Sequence, residues 1–268
     1  PQIIAFSATI PNLRELAMWL NDAIVFESTE RPTPLEKMIQ FRNQTLSIPD
    51  AKQLLYVLEQ SGTGSKDSGR YRTNVIDDDD NLLAVVRRET AQGVDTADNK
   101  TRQVLIFCSS RQQTRRTAMD IMKDRCQINE QYYRSVQAIG KRRDLCSELA
   151  KIDWESHILV HGPGLLEDLS SMVMQGVCFY NAELPGPVKD LVETAMHKGI
   201  LDTLATTTGL AEGVNFPVHC VIIRETTSGG MHFSPQVVNQ MAGRAGRTGM
   251  VERGRCVMMC SGTRGALS

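Results

Sequence analysis

A chain of 268 residues can hold one large or two modest α/β domains with a sizeable core. Its 30 lysines and arginines balance 31 aspartates and glutamates, so no overall basic field favours nucleic acid, and any such contact needs a local groove. Seven cysteines without a C-x-x-C pair favour buried, reduced thiols in an intracellular protein, cytoplasmic or nuclear, over a disulfide framework or a zinc site. The sequence has neither a hydrophobic run of membrane-spanning length nor a signal peptide, so no membrane partner is expected.

The first thirty residues are typical of the end of a folded unit. Residues 1–6 predict a strand that is already under way, so we expect the chain to be part of a longer protein. Ser7-Ala8-Thr9 then places small hydroxyls at a strand-to-helix turn, before an apolar stripe from Leu13 to Leu20 that predicts a helix. A short strand is predicted over 23–26. The prolines of the 31–35 segment predict an extended boundary between two units.

The next segment loses its regular pattern. Residues 37–46 predict a strand, and Asp50 caps a predicted helix that runs through Gln60. Residues 61–101 are polar and rich in glycine, which predicts a flexible acidic insertion with a short helical patch at 82–88. The aspartate run 77–80 within it could hold a divalent metal. A contiguous run of this kind is more often a solvated loop, so no metal site is predicted.

From residue 102 onward, apolar strands alternate with helices. Continuous apolar strands separated by helices predict a mostly parallel sheet flanked by helices on both faces. Residues 115–175 are mostly helical by pattern, with Leu145, Leu149, Ile152 and Trp154 as packing residues; His157 and His161 are spaced like metal ligands, but a structural role is favoured beside Gly162-Pro163-Gly164. The predicted strands are 104–108, 176–180, 201–206, 219–224 and 255–260, and a helix is predicted over 188–198.

Polar sequences follow several of these strands. In parallel sheets, ligands bind beyond the carboxyl ends of the strands, so we expect these sequences to gather at one edge. They are Ser109-Ser110-Arg111, the 206–215 segment and the 240–247 segment.

The 240–247 segment reads Gln-Met-Ala-Gly-Arg-Ala-Gly-Arg and follows the helix-start signal Ser234-Pro235. On a continuous helix, Gln240, Arg244 and Arg247 would share one face, and the two intervening glycines would clear room for a backbone or a ligand. Each glycine costs a helix about 1 kcal/mol. The pattern favours a guanidinium pair directed at a polyanion such as a nucleotide phosphate, with a solvated surface helix as the alternative.

The order of these pieces resembles the second half of a superfamily 2 helicase motor, specifically the Ski-like group of DNA and RNA helicases. Five segments carry the resemblance, in the family's order and spacing. They are Ser7-Ala8-Thr9 for motif III, Arg31 to Leu35 for the crossing between lobes, Phe107 to Arg111 for motif IV, Thr207 to Asn215 for motif V and Gln240 to Arg247 for motif VI. The resemblance implies a second RecA-like lobe over residues 31–268, preceded by the C-terminal end of a first, ATP-binding lobe over 1–30.

The resemblance also implies roles for individual residues. Arg244 and Arg247 would act as arginine fingers on ATP held with Mg²⁺ mainly by the first lobe, and Gln240 would position the phosphate network. A single strand of DNA or RNA, alone or partly duplex, would be held at its phosphates. The remaining implied residues are Gly213 and Asn215 for the nucleotide, Ser109, Ser110, Arg111 and Thr207 for the strand, and Ser7, Ala8 and Thr9 for motif III coupling; for Thr207 and Asn215, ordinary turn chemistry at a strand end is the alternative.

Some features depart from the family pattern. Tyr180 and Asn181 stand where many relatives carry two histidines. No G-x-x-x-x-G-K-[ST] loop and no Asp-Glu box occurs, so the chain alone should be nearly inactive as an ATPase. Ser228-Gly229-Gly230 predicts a turn where related helicases carry a duplex-opening β-hairpin. The alternative function is a catalytically silent helicase-like cassette that acts as a scaffold for protein or RNA partners.

Overall fold

The structure is a computed structural model that describes residues 4, 13–26, 31, 33–41, 44–49, 78–91, 102–128, 136–154, 164–210, 216, 218–228, 231–246 and 253–260. The helices are α1 (Leu13–Trp19), α2 (Asp78–Ala91), α3 (Arg111–Ile128), α4 (Val136–Ala150), α5 (Leu165–Met174), α6 (Gly186–His197) and α7 (Pro235–Ala242). The strands are β1 (Leu35–Phe41), β2 (Gln44–Ser47), β3 (Val104–Cys108), β4 (Val177–Tyr180), β5 (Thr203–Thr207), β6 (Cys220–Ile223), β7 (Thr227–Ser228), β8 (Met231–His232) and β9 (Gly254–Cys260). None of these helices is long and apolar enough to cross a membrane.

The described strands build a seven-stranded sheet in the order β2-β1-β9-β6-β3-β5-β4. Every neighbouring pair is parallel except β1 and β2, which confirms the predicted α/β fold with a mostly parallel sheet. All residues of the central strands β3 and β6 are buried, and so are those of β4 at the end of the sheet, as expected for strands that are covered on both faces. Helix α3 packs on β4 and β5, α6 on β4 and α7 on β6. This is the architecture of a RecA-like domain.

Two strand predictions were wrong. Residues 37–46 form two antiparallel strands, β1 and β2, instead of one, with Phe41 opposite Gln44. Residues 23–26 lie in no strand, and Ile24 and Phe26 are 100% and 92% exposed. An extended segment becomes a strand only when a neighbour pairs with its backbone, and none of the described strands lies beside this one.

Part of the predicted flexible insertion is a folded helix. Helix α2 begins at Asp78, inside the aspartate run, and extends well beyond the predicted patch at 82–88. Leu82, Val85 and Val86 are at most 2% exposed, and Glu89 is fully buried, which gives the i, i+3, i+4, i+7 pattern of a helix packed on a core. The correction concerns 78–91 only; residues 61–77 and 92–101 lie outside the described residues, as do the predicted 50–60 helix and, apart from Ile4, the predicted first strand.

Buried charges fix the edge of the sheet at which the strands begin. The carboxylate of Asp202, just before β5, forms ion pairs with Arg125 Nη2 at 2.7 Å and Arg142 Nη2 at 3.4 Å. All three side chains are at most 5% exposed. Arg125 also donates to the carbonyl of Gln175, just before β4. Because these arginines come from α3 and α4, the cluster ties both helices to the amino edge of the sheet.

Candidate nucleotide and nucleic-acid sites

The residues predicted to contact a nucleic-acid strand do gather at the carboxyl edge of the β-sheet. Cys108 of β3 pairs with Thr207 of β5, so Ser109 follows directly beside Thr207. On the other side of β5, Tyr180 pairs with Thr206, which brings Asn181 to the same edge. Ser109 and Thr207 are partly exposed, and Ser110 is exposed. The parallel register therefore places the residues assigned to motif IV beside the first residue assigned to motif V.

The backbone around Ser110 starts helix α3. Ser110 Oγ accepts a hydrogen bond from the backbone N–H of Gln113 at 3.2 Å, as an N-cap residue does. The backbone N–H of Ser109 donates to Glu225 Oε2 at 2.7 Å. An amide that could hold a phosphate oxygen is thus already occupied by a carboxylate. Glu225 follows β6, and no local sequence pattern predicts this contact because 116 positions separate Glu225 from Ser109.

Asn181 fixes the same turn from the other side. Its side chain is 2% exposed, and its Nδ2 donates to the Arg111 carbonyl at 3.3 Å and to Thr114 Oγ1 at 3.1 Å. Its Oδ1 accepts from the backbone N–H of Glu183 at 3.0 Å. The departure from the family pattern at this position is therefore a buried amide that links the start of α3 to the segment after β4.

A groove of about 830 Å³ runs along α3 from this edge. Its basic side chains alternate with acidic ones: Arg111 Nη1 lies 2.9 Å from Glu183 Oε1, and Arg116 Nε lies 3.8 Å from Asp120 Oδ2. Arg111 and Glu183 are both about half exposed, so water screens their attraction. Such pairs can exchange partners with an incoming phosphate. The basic residues lining the groove are Arg111, Arg115, Arg116 and Lys123.

The helix that carries Gln240 begins as predicted but ends early. Ser234 caps α7, with its Oγ accepting from the N–H of Val237 at 3.4 Å. The helix ends at Ala242, so the prediction of one helical face carrying Gln240, Arg244 and Arg247 was wrong. The reason is a tertiary contact, because Ala245 pairs with Val218 in a parallel bridge that a continuing helix could not make. Gln240 is exposed on the helix, while Arg244 is partly exposed in the turn that follows.

The same turn lies at the opposite edge of the sheet from Ser109. Helix α7 runs antiparallel to β6, so its end returns to the amino edge, where Val218 precedes β6 and Gly254 opens β9. The expectation that the 240–247 segment joins the other polar sequences at one edge was therefore wrong for its described part. Strand β3 has five residues, so the two edges are separated by about 17 Å at 3.3 Å per residue.

Position 246 must be glycine because the backbone of Gly254 lies close to it. Its φ is +70°, and a Cβ there would lie 2.6 Å from the Cα of Gly254. Sequence reasoning predicted room for a backbone or a ligand at this glycine, and the structure fills it with backbone. The turn that holds Arg244 is consequently packed directly onto the first residue of β9.

Two short antiparallel strands flank residues 229 and 230, which lie outside the described residues, so the predicted turn at 228–230 stays a prediction. Thr227 of β7 pairs with His232 of β8, and Ser228 pairs with Met231. The N–H of Phe233 donates to the Thr226 carbonyl at 2.9 Å, which extends the hairpin by one contact. A β-hairpin is therefore present between β6 and α7, and its part in opening a duplex stays a prediction.

Several predicted site residues lie outside the described part of the chain, and their roles stay predictions. They are Ser7, Ala8, Thr9, Gly213, Asn215 and Arg247, together with the two histidines 157 and 161. Among the residues that the structure describes, no group of three or more histidines, cysteines or carboxylates could hold a metal ion.

Comparison with known proteins finds similarity to helicases. Residues 164–249 match the family described as helicase conserved C-terminal domain. The chain is 32% identical over 266 residues to the ATP-dependent DNA helicase Hel308 of Caldivirga maquilingensis, covering 97% of this chain and 30% of that protein. It is 30% identical over 261 residues to DNA polymerase theta of Mus musculus, covering 97% of this chain and 9% of that protein. A second Hel308, from Thermoplasma volcanium, is 30% identical over 257 residues, covering 94% of this chain and 30% of that protein.

These similarities support the C-terminal lobe of a superfamily 2 helicase. The chain spans less than a third of the length of each of these relatives. The matched residues lie within the RecA-like fold. They extend from the residue that precedes α5 to just beyond the turn that carries Arg244.

Proposed function

We propose that this chain is the C-terminal motor lobe of a Ski-like, ATP-dependent DNA helicase. The relatives that match nearly all of the chain are named as DNA helicases or as a DNA polymerase, which favours DNA over RNA as the strand that is moved. The first RecA-like lobe of the same protein would be its principal partner. Residues 1–30 would be the end of that lobe, and residues 31–268 would form the second.

The observation that carries the proposal is the fixed turn around Arg244. Arg244 lies between Ala242 and Ala245, which are both fully buried, yet its own side chain stays partly exposed. A cation held on a rigid backbone loses little entropy when it meets a charged ligand. This is the arrangement that an arginine finger requires.

ATP fits these residues as a ligand that is shared between two lobes. When bound with Mg²⁺ by the first lobe, it would supply the free energy of phosphoryl transfer. Arg244 would stabilise negative charge that develops on the transferred phosphoryl group, and the exposed Gln240 would orient the neighbouring polar groups. Arg247, Gly213 and Asn215 would complete the second-lobe contribution. Neither a phosphate loop nor an Asp-Glu box is present in the sequence, so the chain alone should not turn over ATP.

The strand would bind at the other edge of the sheet. Ser110, Arg111 and Thr207 offer hydroxyl and guanidinium donors there, and the groove along α3 continues the basic surface. ATP and the strand would then meet the lobe at separate surfaces. Closure of the two lobes on ATP would move the strand contacts as a rigid body relative to the first lobe.

The decisive test is the substitution Arg244→Ala in the complete protein that carries this chain. DNA-stimulated ATP hydrolysis should fall by about 10³-fold or more, since this is the usual effect of removing an arginine finger. Arg253→Ala is the matched control, because Arg253 is an exposed arginine near the same edge and pairs with Glu36 at the surface. Its turnover should stay within about twofold of the parent protein.

The nucleic acid that stimulates ATP hydrolysis tests whether the protein acts on DNA or on RNA. Single-stranded DNA should stimulate hydrolysis more than RNA of the same sequence does. Full turnover by Arg244→Ala would refute the motor function, and stimulation by RNA alone would refute DNA as the substrate.

A further inference from the structure

We infer that Arg31 is a positioning residue for the turn that carries Arg244. Arg31 lies in the crossing segment, residues 31–35, which would leave the first lobe. The guanidinium Nη2 of Arg31 donates to the backbone carbonyl of Ala245, the residue directly after Arg244. These residues are 214 positions apart in the sequence, and the contact joins two segments to which the proposed function gives different tasks. The inference rests on that proposed function, in which Arg244 is the arginine finger.

The contact holds one particular peptide group at both ends. The Ala245 carbonyl accepts from Arg31, and the N–H of the same peptide, on Gly246, donates to the Val218 carbonyl at 3.0 Å. One end of the peptide plane is therefore attached to the buried Val218, which precedes β6, and the other end is attached to the crossing segment. Because a peptide group is planar, fixing both ends fixes its orientation and so restricts the ψ angle at Ala245.

Other contacts bring the crossing segment to the same place. Thr33 is 5% exposed, and its Cγ2 would lie 3.1 Å from a Cβ at Gly246. The N–H of Gly254 donates to the Pro34 carbonyl at 2.8 Å, and Gly254 itself packs on Gly246. The turn thus contacts Val218 just before β6, Gly254 of β9 and the crossing segment. Arg31 provides a charged donor to the turn from the crossing segment.

Arg31 is an exposed residue, but its guanidinium is partly shielded from water. This desolvation lowers the pKa of Arg31 from its ordinary value, although the group remains a cation at neutral pH. A charged donor forms a stronger hydrogen bond to a carbonyl than a neutral donor does. Arg31 therefore connects the crossing segment to the backbone beside Arg244 through a charged hydrogen bond.

The consequence is a link between the lobe crossing and catalysis. Movement of the crossing segment would pull on the Ala245 carbonyl, and Arg244 is attached to that residue by a peptide bond. An arginine finger that is misplaced by about 1 Å loses much of its effect on the rate, while ATP is still bound by the other lobe. The loss of Arg31 should therefore lower kcat and leave ATP binding largely intact.

The test is a comparison of Arg31→Ala, Arg31→Lys, Arg244→Ala and Arg253→Ala in the complete protein. Arg31→Ala should lower kcat for DNA-stimulated ATP hydrolysis about tenfold or more, with the KM for ATP within about twofold of the parent value. Arg31→Lys keeps a cationic donor and should recover most of the lost rate. A purely structural role would instead lower the thermal midpoint and weaken single-strand binding, and neither should change for Arg31→Ala.

The outcomes separate this inference from the proposed function. If Arg244→Ala loses turnover while Arg31→Ala behaves like Arg253→Ala, Arg31 does not position the finger and only this inference fails. A fall in kcat for Arg31→Ala that comes with a lower thermal midpoint, and that lysine does not rescue, also overturns it. If Arg244→Ala hydrolyses ATP at the parental rate, the finger itself is disproved and both proposals fail.

Discussion

At the scale of single residues, Glu225 has the clearest consequence for the proposed strand site. Its carboxylate accepts the N–H of Ser109 at 2.7 Å, and its other oxygen lies 3.5 Å from Arg224 Nε. Its side chain is 29% exposed, so a phosphate that approaches Ser109 would meet this negative charge through little intervening water. Glu225 should therefore weaken strand binding at the motif IV turn.

We predict that Glu225→Gln increases the affinity of the complete protein for single-stranded DNA by about twofold to fivefold, because it removes one repulsive charge. Fluorescence anisotropy with a labelled oligonucleotide measures this directly, and the difference should shrink as salt is raised. Glu148→Gln, at an exposed carboxylate on α4, should leave the affinity unchanged. Weaker binding by Glu225→Gln would mean that the carboxylate organises the strand site instead of opposing it.

At the scale of elements, the attachment of α3 and α4 to the sheet depends on a buried charge cluster. Asp202 and Arg125 are each 1% exposed, and Arg142 is 5% exposed. The pair with Arg125 is the shorter, at 2.7 Å. If Arg125 is lost, Asp202 keeps only the 3.4 Å contact with Arg142 among these arginines, which leaves a buried carboxylate poorly compensated.

Arg125→Met should lower the free energy of unfolding of this chain by about 3–5 kcal/mol, the usual cost of breaking a buried ion pair from one side. Urea unfolding followed by circular dichroism gives the value. Lys151→Met is the matched control, because Lys151 pairs with Glu148 on the surface and should cost less than about 1 kcal/mol. Equal effects of the two substitutions would show that burial of the cluster does not matter to stability.

Helix α2 is attached to the sheet by a second buried carboxylate. Glu89 is fully buried, 3.0 Å from Arg255 Nη1 and 3.5 Å from His219 Nε2. Burial alone would raise the pKa of Glu89, but His219, Arg255 and Arg88 outweigh it and lower the pKa from 4.5 to about 2. Because the folded-state pKa is depressed, the stabilisation is fully present above about pH 4.5 and is lost as the pH falls toward 2.

Glu89→Gln should therefore destabilise the chain at neutral pH and flatten the acid limb of its stability profile. The difference in unfolding free energy between parent and variant should be constant above about pH 5 and should shrink progressively toward about pH 3. Urea midpoints measured across this range test the sign. Glu148→Gln should run parallel to the parent profile, and a Glu89→Gln difference that grows on acidification would contradict the assignment.

At the scale of the whole molecule, the sequence predicted the elements better than their ends. The buried strands β3 and β4 were found within a residue because a strand buried on both faces must be a continuous apolar run. The end of α7 was missed because the Ala245–Val218 bridge that stops it depends on a distant part of the chain. The full extent of α2 was missed because its first turn consists of aspartates, which as a contiguous run are more typical of a loop.

In the candidate site too, the sequence predicted some features and missed others. The register of β3 with β5 places Ser109 and Thr207 together, as the carboxyl-edge rule predicts. The rule was wrong for the Arg244 segment because that segment follows a helix, and a helix that returns along a parallel sheet delivers its end to the opposite edge. The contacts made by Glu225 and Arg31 span more than a hundred residues each, so no local pattern predicts them.

The two-edge arrangement predicts that strand binding and ATP turnover can be separated. Thr207→Val removes a hydroxyl at the carboxyl edge and should weaken single-strand binding by about threefold to tenfold. Its kcat for ATP hydrolysis at saturating DNA should be unchanged, because Arg244 lies at the other edge of the sheet, about 17 Å away along the strand direction at 3.3 Å per residue. Arg244→Ala should do the reverse, with turnover lost and strand affinity in the absence of nucleotide retained.

Anisotropy titrations and ATPase assays on the same preparations of the complete protein measure both quantities. Thr194→Val is the control for the hydroxyl deletion, since Thr194 is exposed on α6, away from the motif IV turn, and should change neither quantity. If Arg244→Ala weakens strand binding as much as Thr207→Val does, then the two edges form one continuous site. The lobe would then couple ATP to the strand by direct contact and would not need to move as a rigid body.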